Sequence, residues 1–220
     1  MAWLIDIRSD KARYQPQIAP IPGCQTTDDL HASIRSLMTE AQEYKAANGF
    51  LPLGIHADGY EIPNRFWPQE GHFIDDPSLI PPLLGLTSFY LVAQQWRDAI
   101  EEFEPGVHQF KQVPLTLKDG SPLKERFYAM NIRQTLRDVA DMDRSTAPYE
   151  VFGDGVKRFS KTSSSPKSKV YFLRDRIKKY DLWRPIDILG YRIAMSNELF
   201  ERISRLGGIE NIQTLEIEEV

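Results

Sequence analysis

Two strand-forming runs joined by a tight turn place the firmest constraint on how this chain folds. The runs are residues 107–117 and 123–132, and Lys118-Asp119-Gly120-Ser121 lies between them. Glycine readily adopts positive φ, and short polar side chains bond the backbone of their own turn. The pattern therefore predicts an antiparallel hairpin that turns at residues 118–122, with Gly120 at positive φ.

Other short runs are typical of strands, whereas few are typical of helices. Apolar residues recur at helical spacing in residues 94–103 and 197–206, and Ser196 is expected to cap the second of these helices. Further expected strands cover residues 2–7, 87–92, 170–173, 191–195 and 212–217. Strands interspersed with few helices predict an α+β fold with a mostly antiparallel or mixed sheet.

The first 85 residues have a different pattern. An amphipathic helix is predicted over residues 27–47, ended by Asn48-Gly49. Residues 50–82 are rich in proline, glycine and aspartate but include Phe66 and Trp67, which favours an ordered irregular segment because large aromatic rings need a surface to pack on. We expect an N-terminal region, 1–85, and a strand-rich core, 86–220, that together form one compact unit.

The composition is that of an ordinary folded protein. Hydrophobic residues make up 41% of the chain and aromatic residues 11%, which excludes generic disorder. No apolar run approaches the ~18 residues of a membrane span, and the N-terminal residues do not resemble a secretory signal. A single cysteine, Cys24, excludes an internal disulfide framework and a cysteine zinc site. We therefore expect a cytoplasmic protein.

Positive charge is concentrated in one segment. Residues 157–179 contain nine basic residues and one acidic residue, although the net charge of the chain is −4. Residues 157–169, rich in serine and lysine, predict a basic loop. The segment around Phe66 and Trp67 is a second candidate surface, although these two rings are more typical of a core. The basic residues of the loop are the candidate partner contacts: Lys157, Arg158, Lys161, Lys167 and Lys169. Nearby aromatic residues are compatible with nucleic acid, but an isoelectric point of about 5.6 weighs against a dedicated nucleic-acid binder.

No residue pattern indicates catalysis. The four histidines lack metal-ligand spacing, and there is no phosphate-binding, dinucleotide or nucleophile motif. Asp138, Asp141 and Asp143 are close enough in sequence to hold a divalent cation. Flanking Arg137 and Arg144, and the absence of a turn glycine, favour a capped turn instead. We expect no enzyme activity, no cofactor and no metal, with a metal-dependent hydrolase using the three aspartates as the lesser alternative.

Two segments of the chain echo each other. Residues 90–103 align without a gap with residues 193–206, and each segment is followed by a glycine turn and an expected strand. The matched large residues are Trp96 with Leu199, Ile100 with Ile203 and Phe103 with Leu206. A strand–helix–strand unit used twice explains the match, and so does shared helical spacing alone.

Four stretches carry a family resemblance: residues 96–110, 113–115, 118–122 and 127–132. They combine a short helix, a Glu-Pro-Gly turn, a His-Gln-Phe strand, a Lys-Asp-Gly hairpin and a return strand containing tyrosine and asparagine. This combination resembles the bacterial immunity protein family eleven of polymorphic toxin systems. The resemblance covers about residues 86–215, and residues 1–85 match loosely. Where family members often open the first helix with serine, this chain has Ala93.

The resemblance implies a cytosolic protein that binds a cognate toxin and protects the producing cell. Its expected partner is therefore a toxin protein, bound directly and stoichiometrically, with no membrane partner and an oligomeric state that the sequence leaves open. A non-catalytic binding or scaffold module with another protein partner is the alternative.

Overall fold

The computed structural model describes residues 1–6, 18–19, 27–52, 57–73, 80–86, 89–152, 155, 157–159, 169–189 and 192–220. In this part of the chain, strands outnumber helices and the sheets are antiparallel or mixed, which confirms the predicted α+β class. None of the helices in these ranges combines the length and the apolar character that crossing a membrane requires.

The helices and strands alternate irregularly along the chain. The helices are α1 (Thr27–Asn48), α2 (Gln94–Phe103), α3 (Arg174–Ile177) and α4 (Asn197–Ser204). The strands are β1 (Ala2–Asp6), β2 (Ile18–Ala19), β3 (Gly71–Phe73), β4 (Leu83–Leu86), β5 (Phe89–Ala93), β6 (Gln109–Val113), β7 (Leu115–Thr116), β8 (Phe127–Asn131), β9 (Thr135–Leu136), β10 (Tyr149–Val151), β11 (Lys157–Phe159), β12 (Tyr171–Phe172), β13 (Leu182–Pro185), β14 (Arg192–Ser196) and β15 (Gln213–Glu219).

These elements belong to two compact units. Residues 1–9 and 134–220 form the terminal unit, and residues 10–133 form the internal unit. The expected division between residues 85 and 86 falls within β4, which pairs with β5 in one sheet of the internal unit. The observed divisions lie elsewhere because the N-terminal strand pairs with strands from the end of the chain. That the whole chain forms one compact unit stays a prediction.

In the internal unit, a four-stranded antiparallel sheet has the order β4-β5-β8-β6. One face buries Leu91, Phe127 and Ala129 in a hydrophobic cluster that also contains Ala41 of α1. Helix α1 runs one residue beyond the predicted range, and the next residue, Gly49, adopts a φ of +84° and donates its N–H to the carbonyl of Lys45. Because α1 contributes to this cluster, it shares its core with the sheet.

The predicted hairpin is present, with one interruption in its ladder. Strands β6 and β8 pair antiparallel from Gln109–Asn131 to Val113–Phe127, and Gly120 has a φ of +82°. Beyond Val113, β7 pairs in parallel with β3 on one side. On the other side, Thr116 still lies opposite Pro122 in an antiparallel bridge, and the Leu123 N–H donates to the carbonyl of Leu115 at 2.8 Å. Proline lacks an N–H, and the carbonyl of Pro114 accepts from Gly71 at 2.9 Å, so the strand turns toward β3 at this residue.

In the terminal unit, six strands have the order β12-β15-β1-β14-β13-β9. Strand β1 pairs antiparallel with both β14 and β15 over all five of its residues. Ser196 caps α4 as predicted, because its hydroxyl accepts the N–H of Leu199 at 3.2 Å. Ala93, in the equivalent position before α2, provides no side-chain cap.

The sequence echo corresponds to a shared topology. The order β4-β5-β8-β6 of the internal unit matches β13-β14-β1-β15 of the terminal unit, with α2 and α4 following equivalent strands. The registers also agree, since Val92 lies opposite Leu83 and its counterpart Met195 lies opposite Leu182. Shared helical spacing does not explain an equal strand order, so the topology favours a unit used twice. In the terminal unit, the strand equivalent to β8 comes from the start of the chain.

Candidate partner-binding surface

The hairpin of β10 and β11 carries two of the five predicted contact residues. The strands pair antiparallel, with Glu150 opposite Arg158 and Val151 opposite Lys157. The sequence predicts a loop at Lys157 and Arg158, and this prediction is wrong because both residues lie on β11. The signal for this hairpin is the alternation in Tyr149-Glu150-Val151, which is typical of a short strand but was not among the predicted strands.

One strand of this hairpin is anchored and the other is exposed. Phe159 of β11 is fully buried, donates its N–H to the carbonyl of Asp187 at 2.8 Å and accepts the N–H of Leu189 at 3.0 Å. In β10, the exposed fraction is 47% for Tyr149 and 64% for Val151. Through Phe159, β11 therefore holds the exposed strand β10 in place.

Aromatic rings order the positive charges of the hairpin. The ammonium nitrogen of Lys157 lies 5.0 Å from the ring centre of Tyr149, and the Arg158 guanidinium lies 4.5 Å from that of Phe152. Cation–π contacts of this kind are worth about 0.5–1 kcal/mol at exposed sites. The Tyr149 ring in turn meets Phe159 edge-on at 6.2 Å. The hairpin therefore presents exposed apolar and cationic groups in a defined arrangement.

Lys169 lies on the adjoining segment, with its charge already paired. Its backbone carbonyl accepts the N–H groups of Thr146 and Ala147, shortly before β10 begins. Its ammonium donates to the Glu218 carboxylate at 2.8 Å, and this hydrogen bond raises the pKa of Lys169. Lys169 is therefore a weaker contact candidate than Lys157. The other two predicted contacts, Lys161 and Lys167, lie outside the described residues.

We name the candidate surface the basic hairpin. It consists of the exposed residues Tyr149, Glu150, Val151 and Lys157 and of the half-buried residues Arg158 and Phe152. In the described part of the chain, four large hydrophobic residues are exposed, and two of them, Tyr149 and Val151, lie here. Exposed apolar groups beside cationic ones are characteristic of protein interaction sites.

The aspartate cluster forms a capped turn. The Asp141 carboxylate accepts the N–H groups of Asp143 and Arg144 at 3.0 and 3.1 Å. This arrangement is the one that the sequence favoured over a cation site. Within the described ranges, no group of three or more histidine, cysteine or acidic side chains is placed to hold a metal ion.

A buried carboxylate outside the predicted site residues supports the base of the basic hairpin. Asp187 is 3% exposed, and its carboxylate accepts the N–H groups of Asp138, Val139 and Ala140 at 3.1, 2.6 and 3.0 Å. Its backbone carbonyl binds Phe159 of β11. Because Asp187 is nearly fifty residues from the turn that it holds, no local sequence signal could have identified this role.

Two other groups singled out by the sequence are structural. Phe66 and Trp67 are 2% and 5% exposed and pack in the core of the internal unit, which leaves the basic hairpin as the stronger surface candidate. His108 is buried, and its Nε2 lies 2.7 Å from the Glu104 carboxylate across the Glu-Pro-Gly turn. His56 and the side chain of His31 lie outside the described residues.

Comparison with known proteins agrees with the resemblance found in the sequence. The model of the Immunity protein family (Imm11) matches residues 14–219. The search of curated proteins finds no match. The family match includes residues of both units and extends the resemblance from residues 86–215 to nearly the whole chain. This chain therefore belongs to the Immunity protein family (Imm11).

Proposed function

We propose that this protein neutralises a cognate bacterial toxin in the cytoplasm by direct, stoichiometric binding, without catalysis. The observation that carries the proposal is the basic hairpin in a chain of an immunity protein family. Tyrosine and arginine are among the residues that contribute most to binding energy at protein interfaces. The expected partner surface is therefore apolar at its centre and acidic at its edge.

The charge of the basic hairpin should act mainly on the rate of association. Lys157 is exposed, and Glu150 is the acidic residue opposite Arg158 in the ladder. Charges at the edge of an interface steer the approach of a complementary surface and make its rate depend on salt. A stable interface of about 1,600 Å² extends well beyond one short hairpin, so the hairpin would be one part of it.

The test uses the toxin domain encoded by the gene expected immediately upstream. We expect Lys157→Glu to slow association about three- to tenfold at low ionic strength, and much less at high salt. Lys45→Glu is the matched control. Lys45 is an exposed lysine of α1 in the internal unit, and its replacement makes the same charge reversal outside the basic hairpin. If both variants associate at the same rate at every salt concentration, the basic hairpin does not contact the toxin.

A titration tests the mechanism itself. Increasing amounts of the protein are added to a fixed amount of active toxin, and full inhibition is expected at equimolar protein, with or without a chelator. Full inhibition far below this ratio, or inhibition that a chelator abolishes, would indicate turnover or a metal and would contradict neutralisation by binding.

A further inference from the structure

We propose that the toxin contributes a β-strand that pairs with the free edge of β10. This inference rests on the proposed function and adds the mode of binding. The feature behind it is a short two-stranded sheet, β10 and β11, whose outer strand is exposed at all three of its residues.

The hydrogen bonds of β11 reveal which backbone groups of β10 point outward. Phe159 uses both its N–H and its carbonyl for Asp187 and Leu189, so it exchanges no backbone bonds with Tyr149 opposite. In an antiparallel ladder, bonded and non-bonded pairs alternate. Glu150 is therefore the residue of β10 that is bonded to β11 through Arg158. The N–H and carbonyl groups of Tyr149 and Val151 consequently point away from β11.

These outward groups are unpaired in the described part of the chain. Among the described residues, no backbone hydrogen bond joins Tyr149 or Val151 to a residue outside the hairpin. The sheet neighbour of β10 in this part of the chain is β11. Tyr149 and Val151 are two positions apart in the strand, so their outward N–H and carbonyl groups repeat at a spacing of about 7 Å along the edge. This is the pattern that a strand added at a sheet edge requires.

The side chains around the edge define the strand that it would accept. Tyr149 and Val151 project on one face and offer an apolar surface to alternate residues of an added strand. Lys157 and Arg158 outnumber Glu150 among the charged residues of the ladder, and the Lys157 ammonium lies over the Tyr149 ring. Charge complementarity therefore favours a toxin strand in which apolar residues alternate with acidic ones.

A proline at position 151 tests the backbone contact. Val151→Pro removes the outward N–H, leaves the Glu150–Arg158 bonds intact and is compatible with an edge strand. Val151→Ala is the matched control, because it shortens the same side chain and keeps the N–H. With the toxin domain as probe, we expect the proline variant to bind at least about tenfold more weakly than the alanine variant. Equal affinities of the two variants would overturn the inference.

Hydrogen exchange on the unmodified protein provides a readout that does not depend on how the variants fold. In the free protein, the Tyr149 and Val151 amides should exchange quickly and the Glu150 amide slowly. In the toxin complex, all three should be protected, and continued fast exchange at Tyr149 and Val151 would overturn edge pairing. If the free protein forms a dimer that Val151→Pro abolishes, the edge belongs to a second copy and the inference fails. A wild-type protein that does not bind the toxin would instead refute the proposed function.

Discussion

At the level of single residues, two polar side chains stabilise backbone groups that lack secondary-structure partners. The carboxylate of Asp187 receives three consecutive N–H groups, beginning with that of Asp138, whose φ is +54°. The hydroxyl of Ser196 receives the N–H of Leu199 and also donates to Asp181 at 2.6 Å. Each side chain thus holds a chain segment that hydrophobic packing alone would leave loose.

Replacing the α4 cap should measurably destabilise the terminal unit. Ser196→Ala removes both hydrogen bonds of the hydroxyl, and we expect the free energy of unfolding to fall by about 1–2 kcal/mol. Ser204→Ala in the same helix is the control, because that hydroxyl donates to the Phe200 carbonyl within the helix and should cost less than about 0.5 kcal/mol. Urea denaturation measures both values, and equal losses would remove the special role of the cap.

At the level of elements, the turn of the β6–β8 hairpin combines backbone geometry with a local carboxylate. Gly120 has a positive φ, and its N–H bonds to the carbonyl of Leu117 at 2.9 Å. The Ser121 hydroxyl donates to Asp119 at 2.6 Å, and this bond lowers the pKa of the Asp119 carboxyl. The Asp119 carboxylate therefore keeps organising the turn to a lower pH than an aspartate without this bond would.

A β-branched residue at the turn should introduce backbone strain without a steric clash. A Cβ added at Gly120 would meet no atom within 4 Å, so the cost of Gly120→Val arises from the positive φ alone. We expect a loss of about 1–2 kcal/mol in the free energy of unfolding. Gly120→Asn should cost less, because asparagine tolerates this region better. Thermal unfolding of the two variants makes the comparison, and a valine variant as stable as wild type would contradict the turn geometry.

At the level of the whole molecule, the terminal unit is completed by a strand from the beginning of the chain. Strand β1 lies between β15 and β14, with Ala2 opposite Ile217 on one side and Ser196 on the other. In the internal unit, the equivalent strand β8 follows β6 along the chain, after β7 and the turn of the hairpin. The two units therefore share one strand order but differ in where the chain enters it.

This difference predicts that residues 1–6 can be moved to the other end of the chain. A permuted protein that starts at residue 7 and continues from Val220 through a short Gly/Ser linker into residues 1–6 should unfold within a few degrees of wild type. The Met1 amino group lies 2.6 Å from the Glu219 carboxylate, so a short linker spans the gap. Deleting residues 1–6 should instead abolish cooperative unfolding of the terminal unit, because Leu4 and Ile5 are buried.

Circular dichroism and thermal unfolding compare the two proteins. A deletion variant that unfolds like wild type would show that β1 is dispensable and would contradict the strand order as the basis of this unit. Wild-type behaviour of the permuted protein together with loss of structure in the deletion variant is the expected outcome.

The sequence by itself determined the features whose causes lie within a few residues. Helix α2 spans the predicted residues 94–103, Ser196 caps α4, Gly120 has positive φ and Asp141 caps its turn. A helical period, a capping hydroxyl and a turn glycine act over one or two turns of backbone, so neighbouring residues suffice to specify them.

Only the tertiary structure decided the contacts between distant parts of the chain. It placed β1 beside β15, directed β7 to β3, brought Glu218 to Lys169 and exposed the edge of β10. An alternating pattern shows that a strand has an inner and an outer face, but it does not specify which strand pairs with it. For the candidate surface, the sequence therefore identified the basic residues, whereas the fold decided which charges are already paired and which backbone groups have no partner among the described residues.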